Sequence, residues 1–428
     1  MGAGSRERGE KLSAPATTGR PGGGALDTLA IPVGAAILSG LLYAISFPPV
    51  DMAEGAYVFA IPFVLWAFRR PPWKPFVLAA FLSQWVAWAY LLVWLRHVPE
   101  AAGMAGAPIV GGGLVLLVAL LVSLFGTIWL AALRWGIPRW MGRSSAERVL
   151  GYVALAGFWV VLEWVRTWFI FGFPWLPLSA SQWQRPVILQ PAAWTGAYGI
   201  SFILVLMNLG VGAYLWKIFT QKRVKRWTER ICPEFYVALG ALFAVVMVFF
   251  ETVPKAGQML PMFDAGVVQP NIPQTYKWEE GEAAEHLAVI ERQTTLVNAL
   301  GADVLLWPES ATPLPVIGYS NLRDWIETLS RELGTPILMG NLAQETDGTE
   351  AASWYNGIFF VDPEKGLADT YYRKRKLVPF GEYVPLRSWF PFIGKFVPLE
   401  GDFQRGLEAE ALTARIGPQA WKIGGLVC

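Results

Sequence analysis

Long apolar runs separated by short polar joints fill the chain from about residue 27 to 252. They fall at roughly 27–47, 55–68, 76–95, 109–133, 149–170, 197–216 and 235–251. A helix needs about 20 apolar residues to cross a bilayer. Most of these runs reach that length, and 55–68 reaches it with its flanks. The pattern predicts about seven transmembrane helices. The first run ends on Phe47-Pro48-Pro49, which is no small-residue cleavage site, so it reads as a retained helix and not as a signal peptide.

Beyond residue 252 the texture changes. Charges return, and short strand-like runs appear at Asp264–Gln269, Val304–Trp307, Pro336–Gly340, Gly357–Val361 and Ile423–Val427. Helical stretches at 279–300 and 320–333 lie between some of them. Alternating strands and helices predict an α/β domain. Three regions result: a disordered basic tail over 1–26, a membrane domain over 27–252 and an α/β domain over 253–428.

Composition sharpens the first half of this picture. Hydrophobic residues make up 54% and charged residues 16%, with 22 Trp. So few charges cannot cover a water-facing surface of this size, which places part of the chain in lipid. The net charge of +2 implies no nucleic-acid partner. With two Cys and two His, no spacing suggests a zinc site or a disulfide framework. No metal or cofactor is implied.

The distribution of charge orients the helices. With the tail in the cytoplasm, inside joints carry Arg69, Arg70 and Lys74, then Arg134, Arg139, Arg143 and Arg148, then Lys217, Lys222, Arg223, Lys225, Arg226 and Arg230. The outside joints are poor in Lys and Arg. This positive-inside pattern puts residues after 252 outside the cytoplasm. Glu163 and Arg166, three apart near the end of the fifth helix, share a face. They read as a pair tying that helix to the loop beyond it, with a functional ion pair as the alternative.

Three stretches of the outer domain carry chemistry. In "LLWPES", Glu309 follows a buried strand, where α/β sites assemble. Partial desolvation beside Trp307 and Pro308 should raise its pKa toward a general acid/base. In "YYRKRKLVPFGEYVPL", Lys374 is suited to hold an oxyanion. Taken alone, Arg373–Lys376 reads as a solvated basic run. Cys428 follows an apolar run and is a plausible nucleophile if a base and a cation lie near. A lone cysteine more often only fills space.

Together, "WPES", "YRKRKLVPFGEYVP" and "GGLVC" resemble the Glu-Lys-Cys constellation of the nitrilase, or carbon–nitrogen hydrolase, superfamily. Attached to a multi-helix membrane domain, and with "GVVQPNIPQTYKW", "FGFPW" and "FPP", the chain resembles the apolipoprotein N-acyltransferase family.

The resemblance implies an αββα nitrilase-like sandwich outside the bacterial inner membrane. It implies Cys428 as nucleophile, Glu309 as general base, Lys374 as oxyanion holder, Glu382 as a supporting acid and Trp278 in substrate handling. It implies a phospholipid acyl donor, phosphatidylethanolamine, and a diacylated apolipoprotein acceptor. It also implies more chain beyond Cys428, making this a truncated sandwich.

A lipid substrate requires a site open to the bilayer. Residues 386–403 carry Trp389, Phe390, Phe392, Ile393, Phe396 and Val397 among Pro and Gly, with Lys395. This interfacial mix predicts a lid in which Trp389 and Phe392 meet acyl chains. The alternative is a loop packed on the domain's own core. Two other function classes remain: a membrane-tethered amidase or nitrilase that uses the same residues with water as acceptor, and a membrane scaffold or transporter with an inert outer domain.

Overall fold

The structure is a computed structural model that describes residues 25–101, 106–169, 172–220, 231–252, 262–273, 280–346, 352–384, 387, 389, 402–408 and 411–427. The chain divides into two compact units: Met1–Leu91, Val118–Thr167 and Pro174–Glu251 in one, Leu92–Leu117, Trp168–Phe173 and Thr252–Cys428 in the other.

The helices fall where the apolar runs predict them: α1 (Ala25–Ile45), α2 (Ile61–Phe68), α3 (Trp73–Leu91), α4 (Ala107–Trp140), α5 (Ser145–Arg166), α6 (Ala192–Thr220) and α7 (Pro233–Thr252). Among the described residues, α4 to α7 are each long and apolar enough to cross a membrane. A fifth span arises if α3 and the turn after it count as one broken helix. Within the first unit, α1 packs on α3 and α2, and α6 on α5 and α2. Small residues permit this: a Cβ on Gly40 would sit 3.0 Å from the Ser83 carbonyl oxygen, and one on Gly212 2.5 Å from Val64.

The run at 55–68 is not one helix. A 3₁₀ turn at Ala53–Tyr57 precedes α2. Asn208 of α6 bridges the break, with its Oδ1 accepting from Ala60 N at 2.8 Å and its Nδ2 donating to the Ala56 carbonyl at 2.8 Å. Groups that a continuous helix would pair are thus satisfied by a side chain, as burial in lipid requires.

Glu163 and Arg166 are both buried and form no ion pair with each other among the described residues. Glu163 Oε1 accepts from Trp159 Nε1 at 2.8 Å and Leu178 N at 2.7 Å, and Arg166 Nη2 donates to the Leu176 carbonyl at 3.3 Å. Their work is to tie α5 to the loop that follows, as expected from their positions.

The second unit holds a mixed sheet in the order β1 (Ala265–Val267), β2 (Val304–Trp307), β3 (Ile337–Glu345), β4 (Ser353–Asp362), β5 (Gly366–Leu367), with β6 (Tyr372–Arg373) also paired to β4. β1, β2 and β3 run parallel, joined through α8 (Ala283–Asn298) and α9 (Ser320–Leu333), and β4 turns back antiparallel. α9 buries Leu322, Ile326 and Leu329 on one stripe and stops at Gly334, whose φ of 63° suits a left-handed cap.

Alternate strand residues feed two cores, one on each face. Leu305, Trp307, Ile337, Met339, Phe359 and Val361 pack with Ile290, Leu322, Ile326 and Leu329 of the helices. Val304 and Phe360, with Leu306 and Leu338 alongside, face Ala414 and Ile416 of a hairpin, β7 (Leu412–Ile416) with β8 (Gln419–Ile423). Helices on one face and strands on the other match the expected sandwich layering.

One expectation is corrected. Ile423–Val427 is not a strand: β8 ends at Ile423, the last residue with a partner in β7, and 424–427 are irregular. β7 begins at Leu412, opposite Ile423, and beyond it the Gly425 backbone lies against Tyr372. A Cβ there would come within 2.9 Å of that ring and 3.1 Å of Ile358.

Candidate active site

Four side chains from three parts of the second unit meet at the carboxyl end of β2. Glu309 follows β2 directly. The chain turns there through Ser310, at φ 46°, a costly conformation for a residue with a Cβ. The Ala311 N–H donates to the Gly340 carbonyl at 2.9 Å, tying the turn to β3. Gly340 is required by this approach, since a Cβ would lie 2.6 Å from Glu309 Cα and 2.7 Å from the Pro308 carbonyl oxygen.

Lys374 follows β6, and its N–H donates to the Asn356 carbonyl of β4 at 2.8 Å. Its side chain is 1% exposed. The ammonium reaches Glu309 Oε1 at 3.0 Å and Glu382 Oε1 at 2.9 Å. Glu382 sits in the turn of "VPFGEY", where its Oε2 accepts from Val378 N at 2.8 Å and its N–H donates to the Val378 carbonyl at 2.9 Å.

Burial alone works against the ammonium, but hydrogen bonds to Glu382 and Glu309 outweigh it and hold Lys374 above the ordinary lysine value. Two carboxylates and one ammonium leave the cluster a formal charge of minus one. The basic run is therefore split: Lys374 is interior, while Arg373 turns outward to Glu345 at 2.7 Å. Tyr371 also donates to Glu345, at 2.6 Å, and this surface trio fixes β6 beside the site.

Asn356 was not among the residues singled out from sequence. Its Nδ2 donates to Glu309 Oε1 at 2.6 Å and to Glu382 Oε1 at 2.9 Å. It is 3% exposed on β4, a polar residue inside a strand whose other polar members, Ser353 and Asp362, stand at its ends, and that was the available signal.

Glu309, Lys374 and Glu382 are thus brought together. Trp389 is 78% exposed. Cys428, Trp278 and Phe392 lie outside the described residues, as do Phe390, Ile393, Lys395, Phe396 and Val397. The base of the 386–403 segment is visible: Arg387 Nη2 lies 3.2 Å from Asp402 Oδ1, which also accepts from Val384 N at 3.1 Å.

A buried ammonium fixed between carboxylates at a strand end can stabilise developing negative charge while a neighbouring carboxylate moves a proton. Among the described residues no group of three or more His, Cys, Asp or Glu could hold a metal ion.

Comparison with known proteins extends this geometry. Residues 39–210 match the family model described as the apolipoprotein N-acyltransferase N-terminal domain, and residues 264–428 match carbon-nitrogen hydrolase. An apolipoprotein N-acyltransferase of Geobacter metallireducens is 32% identical over 399 residues, covering 92% of this chain and 72% of that protein. The chain belongs to the apolipoprotein N-acyltransferase family. Relatives of the same name from Pseudomonas syringae pv. tomato and Azotobacter vinelandii are each 29% identical, over 74% and 76% of this chain. The chain spans 60% and 59% of those two proteins' lengths. The two matched regions of the family pattern fall on the helical part of the chain and on the α/β unit with the Glu-Lys cluster.

Proposed function

We propose that this protein transfers an acyl chain from a membrane phospholipid to the free α-amine of the lipidated N-terminal cysteine of an apolipoprotein, through a thioester on Cys428. The observation that carries the reading is the Lys374 ammonium, 1% exposed and held at 3.0 and 2.9 Å by Glu309 and Glu382. That arrangement fits an oxyanion holder beside a base, and it comes from a chain whose relatives are acyltransferases by name.

The first half-reaction forms the S–C bond of the thioester and breaks the ester C–O bond of the donor. Glu309 takes the Cys428 thiol proton and returns it to the departing lysophospholipid oxygen. Lys374 holds the tetrahedral oxyanion, and Glu382 with Asn356 positions Lys374 and Glu309. In the second half-reaction the amine attacks the thioester. The N–C bond forms and the C–S bond breaks, and Glu309 carries the amine proton to the leaving thiolate. A thioester is activated toward amines, and the amide product is the stable end point.

Support for Cys428 comes from its chain neighbour. Gly425 lies against Tyr372 and Ile358, each two residues from a member of the cluster, Lys374 and Asn356. Three residues of chain reach at most about 10 Å. In this reading Trp278, Trp389 and Phe392 contact the lipid substrates, the Arg387–Asp402 pair closes the base of a lid, and phosphatidylethanolamine is the donor. The protein sits in the bacterial inner membrane through its apolar helices, its catalytic domain outside the cytoplasm.

The test is the product. Membranes carrying the protein receive phospholipid with a labelled acyl chain and a diacylated lipopeptide with a free amine. Label in an amide on the peptide supports the reading. Label released only as free fatty acid would favour a hydrolase with water as acceptor.

A further inference from the structure

The helical unit carries a polar site in its interior. Among the described residues, six of its buried side-chain nitrogen and oxygen atoms have no hydrogen-bond partner: Ser39 Oγ, Ser83 Oγ, both amide atoms of Gln84, Glu163 Oε2 and Arg166 Nε. Four of the six belong to Gln84, Glu163 and Arg166, each more than nine-tenths buried. Polar groups left without partners are costly at such burial, and above all in a bilayer, where bulk water does not reach them.

Gln84, Glu163 and Arg166 line one cavity of about 20 Å³. Tyr43 of α1, Trp88 of α3, Gly126 of α4 and Trp159 of α5 also stand in its wall, so four helices surround it. Gly126 leaves the space that the Gln84 amide occupies, since a Cβ there would lie 2.3 Å from Gln84 Oε1. The Arg166 guanidinium stands 4.9 Å from the centre of the Trp88 ring. Glu163 Oε1 is taken by Trp159 Nε1 at 2.8 Å and Leu178 N at 2.7 Å, which leaves Oε2 as the oxygen without a partner.

The chemistry of the wall selects the occupant. Glu163 and Arg166 sum to a formal charge of zero, so the site favours neither an anion nor a cation. Arg166 and Gln84 offer N–H donors, while Glu163 and Gln84 offer acceptor oxygens. A neutral molecule that both donates and accepts matches this set. Volume decides its size. One water needs about 10–15 Å³ of such space, so a cavity of about 20 Å³ holds one water and excludes larger polar ligands.

We propose that this cavity binds one ordered water molecule, which accepts from Arg166 Nε, donates to Glu163 Oε2 and takes the Gln84 amide as its third partner. Three bonds are the usual complement of a buried water. The water turns two charges that form no direct ion pair into a bridged one. The same two residues hold the chain after α5, through Leu178 N and the Leu176 carbonyl, so the water becomes part of that tie. A dry cavity would instead leave a carboxylate oxygen, a guanidinium nitrogen and a whole amide unsatisfied around one space.

The experiment exposes the full chain, in detergent micelles, to an X-ray pulse that generates hydroxyl radicals from water. Radicals formed from a bound water mark the side chains beside it, and mass spectrometry reads the oxidation. Trp88 and Trp159, 2% and 6% exposed, should oxidise severalfold faster than Trp66, which is 7% exposed and does not line the cavity. Gln84→Met keeps the length of the side chain and removes the amide. It should reduce that labelling severalfold and lower the melting temperature by at least about 2 °C. A dry cavity predicts the opposite sign, because Met relieves an unsatisfied amide and the melting temperature rises. Labelling of Trp88 and Trp159 no faster than that of Trp66 overturns the proposal. So does unchanged labelling, or a raised melting temperature, in Gln84→Met. If that variant does not fold, the wild-type comparison with Trp66 decides by itself.

Discussion

The amide of Asn356 donates to Glu309 Oε1 at 2.6 Å, the same oxygen that receives the Lys374 ammonium at 3.0 Å. A single carboxylate oxygen is therefore held by one neutral and one charged donor. Asn356→Ala should lower acyl transfer about tenfold to a hundredfold, the worth of a hydrogen bond to a charged group. Asn356→Asp should be worse, because it places a third carboxylate against Glu309 and Glu382. Initial rates of amide formation, with melting temperature as the folding control, check this. An Asp variant as active as the wild type would contradict it.

Lys374→Ala should cost about 10²- to 10³-fold in rate, the scale for removing an oxyanion donor. Lys374→Arg should restore little. The guanidinium is larger and planar, and the site leaves the present side chain only 1% exposed. Full activity in the Arg variant would show that charge alone suffices there.

Gly340→Ala tests the close approach behind Glu309. The added methyl would meet Glu309 Cα at 2.6 Å, and backbone on both sides must shift. Overpacking of this kind typically costs about 1–3 kcal/mol. Both the melting temperature and the rate should fall, whereas Gly281→Ala, with nothing within 4 Å, should change neither.

The raised pKa of Lys374 has a defined consequence for pH. A lysine whose folded value exceeds its unfolded value stabilises the fold fully below the unfolded value, near 10.4, and loses that contribution as pH climbs through the folded one. The melting-temperature gap between wild type and Lys374→Met should therefore stay constant from about pH 7 to 9 and close only in stronger alkali. Closure by about pH 8 would mean that Lys374 titrates near neutrality, contrary to its two carboxylate partners.

In the helical unit, Glu163→Leu strands two buried donors, Trp159 Nε1 and Leu178 N. Each unsatisfied group costs about 1–3 kcal/mol. Glu163→Gln keeps an acceptor oxygen and should be milder. Thermal unfolding in detergent, followed for both variants, should rank them in that order.

Much of this was legible in the sequence because local pattern and tertiary role agree. The β2 run and α9 stand where alternation and helical periodicity put them, to the residue. Glu309 was readable from its place just past a buried strand, and Lys374 and Glu382 from the resemblance of "YRKRKLVPFGEYVP" to the family pattern. Asn356 was not, since its role depends on the register of β4 against β6, Gly357 opposite Arg373, and no local pattern reports that. The last apolar run looked like a strand, yet β7 begins opposite Ile423, and the residues after Ile423 have no partner strand among the described residues. The break between Ala53–Tyr57 and α2 was hidden too, because the group that satisfies it, Asn208, lies 148 residues from Ala60.

The most direct test of the account is a trapped intermediate on Cys428. Membranes carrying the protein are given phospholipid with a labelled acyl chain and no acceptor, and the protein is digested and read by mass spectrometry. The account predicts one acyl chain in hydroxylamine-labile linkage on the peptide that contains Cys428, absent in Cys428→Ala and greatly reduced in Lys374→Ala. Label on another residue, or equal labelling of the Cys428→Ala protein, would contradict it.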